Sequence, residues 1–212
     1  MSQKPLNGTV MALANTIAAK DPYMLHHQHR VAHIACAIAQ KMGAIEPEFI
    51  EGLRVIGFLQ DLGKIAVPDK ILFKPDRLSQ EEFDLVKIHS GVGHDILKGI
   101  HFPWPVAQAA LQHHERMDGS GYPHGLSGSE IILEARILAV ADVVAAITSH
   151  RPHRMAQSLI KAFEEISEKS GILYDPEVVS ACLEVCKPRL RGLRYGQLLR
   201  TKGPDAQSPN LP

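Results

Sequence analysis

Apolar residues recur along this chain at the three- and four-residue spacing of a helix, and strand-like alternation is scarce, so the pattern predicts an all-α fold. Helices are predicted over about 8–19, 24–43, 47–61, 79–99, 104–116, 129–149, 155–169 and 175–186. Their punctuation has a physical basis. Asp21-Pro22 and Asp175-Pro176 each place a capping carboxylate before a proline suited to the first helical turn, and Ser79 with Glu82 makes a capping box. Pro68, Pro75, Pro103 and Pro123 mark loops.

Helical phase then sorts the polar residues into inward and outward sets. The stripe Val31, Ile34, Ala35, Ile38, Ala39 and Met42, extended back one turn, lands on His27. His29 and His33 lie about 160 and 120 degrees away on the helical wheel and read as solvated residues, while His26 falls on the flank. In the third predicted helix Phe49, Leu53 and Ile56 lead to Gln60, with Asp61 beside it. In the fifth, Val106, Ala109 and Ala110 lead to His113 and His114. In the sixth, Ile131, Ala135, Leu138, Ala145 and Ala146 surround Asp142. A carboxylate on an apolar face costs several kcal/mol unless something compensates it, on the order of 3–5 for a charge left without its partner. One inward histidine is an ordinary core residue. His27, Asp61, His113, His114 and Asp142 together offer imidazole and carboxylate from four helices, the donor set for iron, manganese, nickel or zinc. His89 lies in a helix whose phase does not settle its direction.

Composition narrows the class. The chain has 212 residues, 45% of them hydrophobic, and its 23 Lys and Arg balance 23 Asp and Glu. That neutrality gives no electrostatic case for a nucleic-acid polymer or an anionic membrane surface as partner. The unusual count is histidine, at 12. Three cysteines without paired zinc spacing predict neither a disulfide framework nor a thiolate zinc site; Cys182 and Cys186 read as packing residues, and Trp104 as core. The first residues lack the basic start and apolar run of a secretory signal. The most apolar stretch, 131–147, is broken by Glu134, Arg136 and Asp142, so no membrane span is expected and the protein reads as cytoplasmic. One domain is expected over 1–186, followed by a basic segment at 187–202, helical or a solvated face, and a disordered tail at 203–212. Residues 1–186 carry 17 basic and 22 acidic groups, so the neutral total conceals a mildly acidic body.

Three runs carry a family signature: QDLGKIAVPDKILFKP (60–75), HHERMDGSGYPHGLSG (113–128) and ARILAVADVVAAITSHRPHR (135–154). With the DPYMLHHQHRV segment (21–31) and YDPEVV (174–179), they closely resemble the HD-GYP family of the HD superfamily of metal-dependent phosphohydrolases, over about four-fifths of the chain. The resemblance implies an all-helical HD-domain bundle that holds a metal centre in its core and hydrolyses cyclic di-GMP to pGpG and/or GMP. It implies His27, the pair at Gln60 and Asp61, His89, His113, His114 and Asp142 as metal ligands, with Asp61 bridging two metals. Lys64 matches the lysine that contacts the scissile phosphate. Gly121-Tyr122-Pro123 is the GYP loop, with Tyr122 a substrate contact, and Arg151 and Arg154 match cationic ligand-binding positions. Diguanylate cyclase domains are the partners implied for the loop.

Departures from the family pattern shape the expectation. Gln60 stands where the family has the histidine of its HD pair, and an amide oxygen is a weaker ligand than imidazole for iron or zinc. Ala145 replaces a common aspartate. Tyr23 stands where some members have the glutamate of a third metal, and His150 and His153 replace Asp and Tyr. The expected cofactor is therefore two divalent metal ions, iron or manganese first and nickel or zinc as the rest of the set. The expected function is a cyclic di-GMP phosphodiesterase with activity reduced or lost according to how far Gln60 weakens a metal site. The rivals are a non-catalytic module that binds the dinucleotide or partner proteins, and a phosphodiesterase for another 3′,3′-cyclic dinucleotide such as cyclic GMP-AMP.

Overall fold

In the computed structural model, which describes residues 3–44, 46–149 and 155–190, the chain is helical and the described residues form no sheet. The helices are α1 (Gln3–Lys20), α2 (Pro22–Lys41), α3 (Pro47–Leu59), α4 (Asp69–Leu72), α5 (Gln80–Leu97), α6 (Val106–Gln112), α7 (Leu133–Ile147), α8 (Leu159–Glu168) and α9 (Pro176–Leu190). Each of the eight expected helices is present, and the predicted caps close them. The Asp21 carboxylate accepts from the Tyr23 N–H at 3.0 Å, Ser79 and Glu82 form the reciprocal capping box of α5, and Asp175 accepts from the Glu177 N–H at 2.8 Å.

The boundaries differ where one turn of structure carries no period to read. The helix expected from 47 to 61 ends at Leu59, and a 3-10 turn, Leu62–Ala66, followed by α4 occupies what read as loop. The helix expected from 129 begins at Leu133, because Gly128–Glu130 forms its own 3-10 turn under a Ser127–Glu130 capping box. The helix expected over 104–116 spans only α6, so His113 and His114 sit just past its end. The last helix passes residue 186 and reaches Leu190, and the rest of the predicted basic segment and tail, 191–212, lies outside the described residues.

α2 is the central helix, packed on α1, α3, α7 and α9, while α5 lies across the 62–66 turn and α6. Val31, Ala35, Ile38 and Ala39 of α2 meet Leu53, Ile56 and Leu59 of α3 and Ile137, Leu138 and Val144 of α7 in one continuous core. Burying each of the Val, Leu and Ile side chains among them stabilises the fold by about 1.5–3 kcal/mol relative to leaving it exposed. Trp104 is half-buried at the edge of this core, against Gly52, and Cys182 is buried as expected. Cys36 is half-buried beside α3, and its desolvation pushes the thiol up to about 11. Among the described residues no helix is long and apolar enough to cross a membrane.

Two glycines set how closely the layers approach. A Cβ on Gly57 would stand 2.6 Å from the Ala32 Cα, so α2 and α3 touch backbone to backbone there. A Cβ on Gly63 would overlap the His89 carbonyl, so only glycine lets α5 settle onto the 62–66 turn. By contrast, a Cβ on Gly91 of α5 would meet nothing within 4 Å. Chemical denaturation should therefore separate two otherwise identical changes. Gly57→Ala is expected to destabilise, since an overpacking cost of about 1–3 kcal/mol exceeds a helix-propensity gain of about 1. Gly91→Ala should stabilise by about 0.5–1 kcal/mol. Equal effects at both positions would refute the tight α2–α3 contact.

Candidate metal centre

Five helices deliver their inward polar side chains to one buried point. α2 supplies His27, the end of α3 leads into Gln60 and Asp61, α5 supplies His89, the end of α6 leads into His113 and His114, and α7 supplies Asp142. His27, Gln60, Asp61, His89 and His113 are buried; His114 and Asp142 are partly buried at the mouth. Donor atoms of Asp61, His89, His113 and His114 lie within 4.8 Å of one another, and so do those of His27, Asp61 and Asp142. The two groups share Asp61. Its carboxylate stands 3.5 Å from His89 Nε2, 3.8 Å from His113 Nε2 and 3.9 Å from His27 Nε2.

Hydrogen bonding fixes which nitrogens are free. His89 Nδ1 lies 2.7 Å from the Val86 carbonyl and His113 Nδ1 lies 2.8 Å from the Ala110 carbonyl. A carbonyl only accepts, so Nδ1 carries the proton in both rings and Nε2 is a bare lone pair when the ring is neutral. Burial, the largest influence on His89, holds it down at about 4 and keeps it neutral. Its Nε2 and that of His113 are 3.4 Å apart, a separation at which one cation can lie near both. Burial likewise lowers His114 well below the usual histidine range, and the His113 and His89 rings lower it further. Backbone carbonyls orienting imidazoles through Nδ1 are the arrangement found behind metal-ligating histidines. The Asp61 Oδ2, Gln60 Oε1 and His27 Nδ1 atoms are buried without a hydrogen-bond partner, which adds unspent donor and acceptor capacity at the same place. The residues present therefore suit a divalent cation.

The acidic side is held ionised by its neighbours. Burial opposes the charge on Asp61, but the Lys64 ammonium, 2.9 Å away, together with His113 and His89 keeps the carboxyl well below its usual range. At Asp142 burial is again outweighed, here by the 2.8 Å contact with His27 Nε2, and the carboxyl is lowered. Gln60 lies on this side: its amide nitrogen is 3.5 Å from Asp142 Oδ1.

The GYP loop forms the lip. The Tyr122 ring stacks on His114 with centroids 4.7 Å apart, and burial raises its phenol. A Cβ on Gly121 would overlap the backbone of Glu115 and Arg116, so the loop lies directly on the chain that follows the histidine pair. Glu115 was not singled out from sequence. It is buried and its carboxylate accepts from the His124 N–H at 2.8 Å and the Leu126 N–H at 3.0 Å, tying the far side of the loop to the turn that carries His113 and His114. The signal was available: an acidic residue directly after two inward histidines precedes a Gly- and Pro-rich loop whose amides need acceptors. His29 and His33 are exposed as their phase required, and so is His26. His150, Arg151, His153 and Arg154 lie outside the described residues.

Comparison with known proteins agrees with this geometry. Residues 11–178 match the HD domain family. The chain is 40% identical over 177 residues to the cyclic di-GMP phosphodiesterase response regulator RpfG of Xanthomonas campestris pv. campestris, an alignment covering 82% of this chain and 47% of that protein. It is 41% identical over 181 residues to a cyclic di-GMP phosphodiesterase of Thermotoga maritima, covering 84% and 49%. The chain thus spans about half the length of the curated relatives it matches. Among solved structures, Bd1817, an HDG"Y"P protein from Bdellovibrio bacteriovorus, superposes with a TM-score of 0.67 over 88% of this chain and 65% of that one, at 19% identity, a likeness of fold. With the family match running from the middle of α1 to the start of α9, and with the resemblance to HD-GYP proteins upheld, the chain belongs to the HD domain family.

Proposed function

We propose that the chain is a metal-dependent phosphodiesterase that hydrolyses cyclic di-GMP to pGpG and/or GMP, with two divalent ions, iron or manganese, as cofactor. The observation that carries this reading is the shared position of Asp61 between two groups of donors, one with His89, His113 and His114, the other with His27 and Asp142. The relatives named as cyclic di-GMP phosphodiesterases support the substrate.

Divalent ions held there would acidify the attacking water and polarise the phosphoryl oxygens. The chain's own groups divide the remaining work. Lys64, paired to Asp61 at 2.9 Å and still partly exposed, adds fixed positive charge where a phosphodiester accumulates negative charge on attack. Tyr122, braced on His114, bounds the site at the lip. Arg151 and Arg154 are the further phosphate or base contacts of this reading. Gln60 affects the two groups unequally. It adjoins Asp142, so the His27–Asp61–Asp142 side bears the loss of an imidazole, whereas the side made by His89, His113 and His114 keeps its three rings. A cytoplasmic location and contact with diguanylate cyclase domains through the exposed part of the GYP loop, from Pro123, belong to the same proposal.

Turnover with manganese or iron tests the reading: chromatography should show cyclic di-GMP converted slowly to pGpG. Gln60→His should raise metal occupancy and rate by at least the ~10- to 100-fold that loss of an outer-sphere partner costs. If neither protein cleaves any 3′,3′-cyclic dinucleotide while holding metal, the non-catalytic binding module takes its place. In the same assay Lys64→Gln should lower turnover by ~10²–10³ with bound metal retained. A parallel loss of metal would instead make Lys64 a counter-ion of the fold.

A further inference from the structure

α5 presents an aromatic ring and a cation to the lip of the metal centre, and neither has a role in the account so far. Phe83 and Lys87 are one helical turn apart and share a face. The Lys87 ammonium lies 4.9 Å from the Phe83 ring centroid and 5.9 Å from that of Tyr122, while Phe83 meets Tyr122 edge to face, at 6.2 Å and 85°. Tyr122 in turn stacks on His114. Phe83, Lys87, Tyr122 and His114 therefore form one wall running from solvent to the proposed ligands.

The wall is built for more than packing. Phe83 is 40% exposed, so much of its ring lies uncovered. Lys87 pairs with Asp84 at 2.8 Å, but that carboxylate is exposed, and such a pair on a helix surface contributes little and yields easily to a better anion. The two rings hold the ammonium toward the lip. Two perpendicular rings also make a corner in which a flat base stacks on one ring and presents its edge to the other.

We infer that Phe83 and Lys87 are specificity-determining residues of a nucleotide subsite: Phe83 stacks a purine base, and Lys87 binds the phosphodiester that is not at the metal centre. This rests on the phosphodiesterase reading, and its chemistry follows from the substrate class. A cyclic dinucleotide carries two phosphodiesters, and when one lies beside Asp61 and Lys64 the other requires a cation elsewhere.

Calorimetric binding of cyclic di-GMP and of GMP to the manganese-loaded protein, with steady-state rates alongside, tests the subsite. Phe83→Leu and Lys87→Gln should each weaken cyclic di-GMP binding about tenfold, in the range of one lost stacking or charge-assisted contact, and raise KM with kcat unchanged. Lys87→Arg should bind within about twofold of wild type, keeping the charge and the ring contact. GMP, which has a single phosphate, should bind Lys87→Gln as it binds wild type. Metal content and unfolding midpoint should not move, since both side chains are partly exposed. Wild-type affinity in both Phe83→Leu and Lys87→Gln would overturn the subsite, and so would a loss of GMP binding and metal equal to the loss of cyclic di-GMP binding. If the wild-type protein holds metal but binds no cyclic dinucleotide, the phosphodiesterase reading fails first, and the subsite falls with it.

Discussion

A buried carboxylate ringed by imidazoles that backbone carbonyls hold in place is the constraint on which the rest of this structure depends. Asp61 is almost wholly removed from water, and it is met by the Nε2 atoms of His89 and His113, whose Nδ1 atoms are turned to backbone carbonyls. Lys64 offsets part of the charge. The two Nε2 atoms stand 3.4 Å apart, close enough to share one cation. The surrounding packing serves this arrangement: Gly63 lets α5 approach until His89 faces Asp61, and Glu115 folds the GYP loop back over the histidine turn. The positions of α2, α3, α5, α6 and α7 can therefore be read as the solution to placing six donors around one carboxylate.

Helical phase in the sequence exposed much of that solution. The stripe of α2 placed His27 inward and His29 and His33 outward, and the stripes of α3, α6 and α7 led to Asp61, His113 and Asp142, all as found. α5 resisted the same reading for a physical reason. Its buried face is His89, Ser90, Gly93 and Leu97, mostly small or polar, because close approach to the 62–66 turn leaves no room for large side chains, while Phe83, Leu85 and Ile88 lie partly exposed. An inverted face of this kind defeats a search for apolar stripes, so His89 rested on family resemblance. Glu115 was missed because its partners are loop amides, which leave no periodic trace. The 3-10 turns were missed because one turn is too short to show a period.

The missing imidazole at Gln60 acquires a definite place in this geometry. Its amide nitrogen contacts Asp142 while its oxygen has no hydrogen-bond partner among the described residues, so the substitution falls on the His27–Asp142 side and away from the group of His89, His113 and His114. The asymmetry gives the neutral composition of the chain a local meaning. Under the proposed reading a small dianionic ligand would meet Lys64 and Lys87, two local cations that need no basic excess over the whole protein.

Metal stoichiometry in the intact chain and in Asp61→Asn tests the central claim most directly, by elemental analysis after manganese or iron loading, with unfolding followed in parallel. The wild-type chain is expected to hold at least one divalent ion tightly and to show a thermal midpoint raised by metal, and both are expected to be lost in a folded Asp61→Asn protein, whose neutral amide cannot take the shared position. An intact chain that binds no divalent metal, or an Asp61→Asn protein that binds it as well as the wild type, would contradict it.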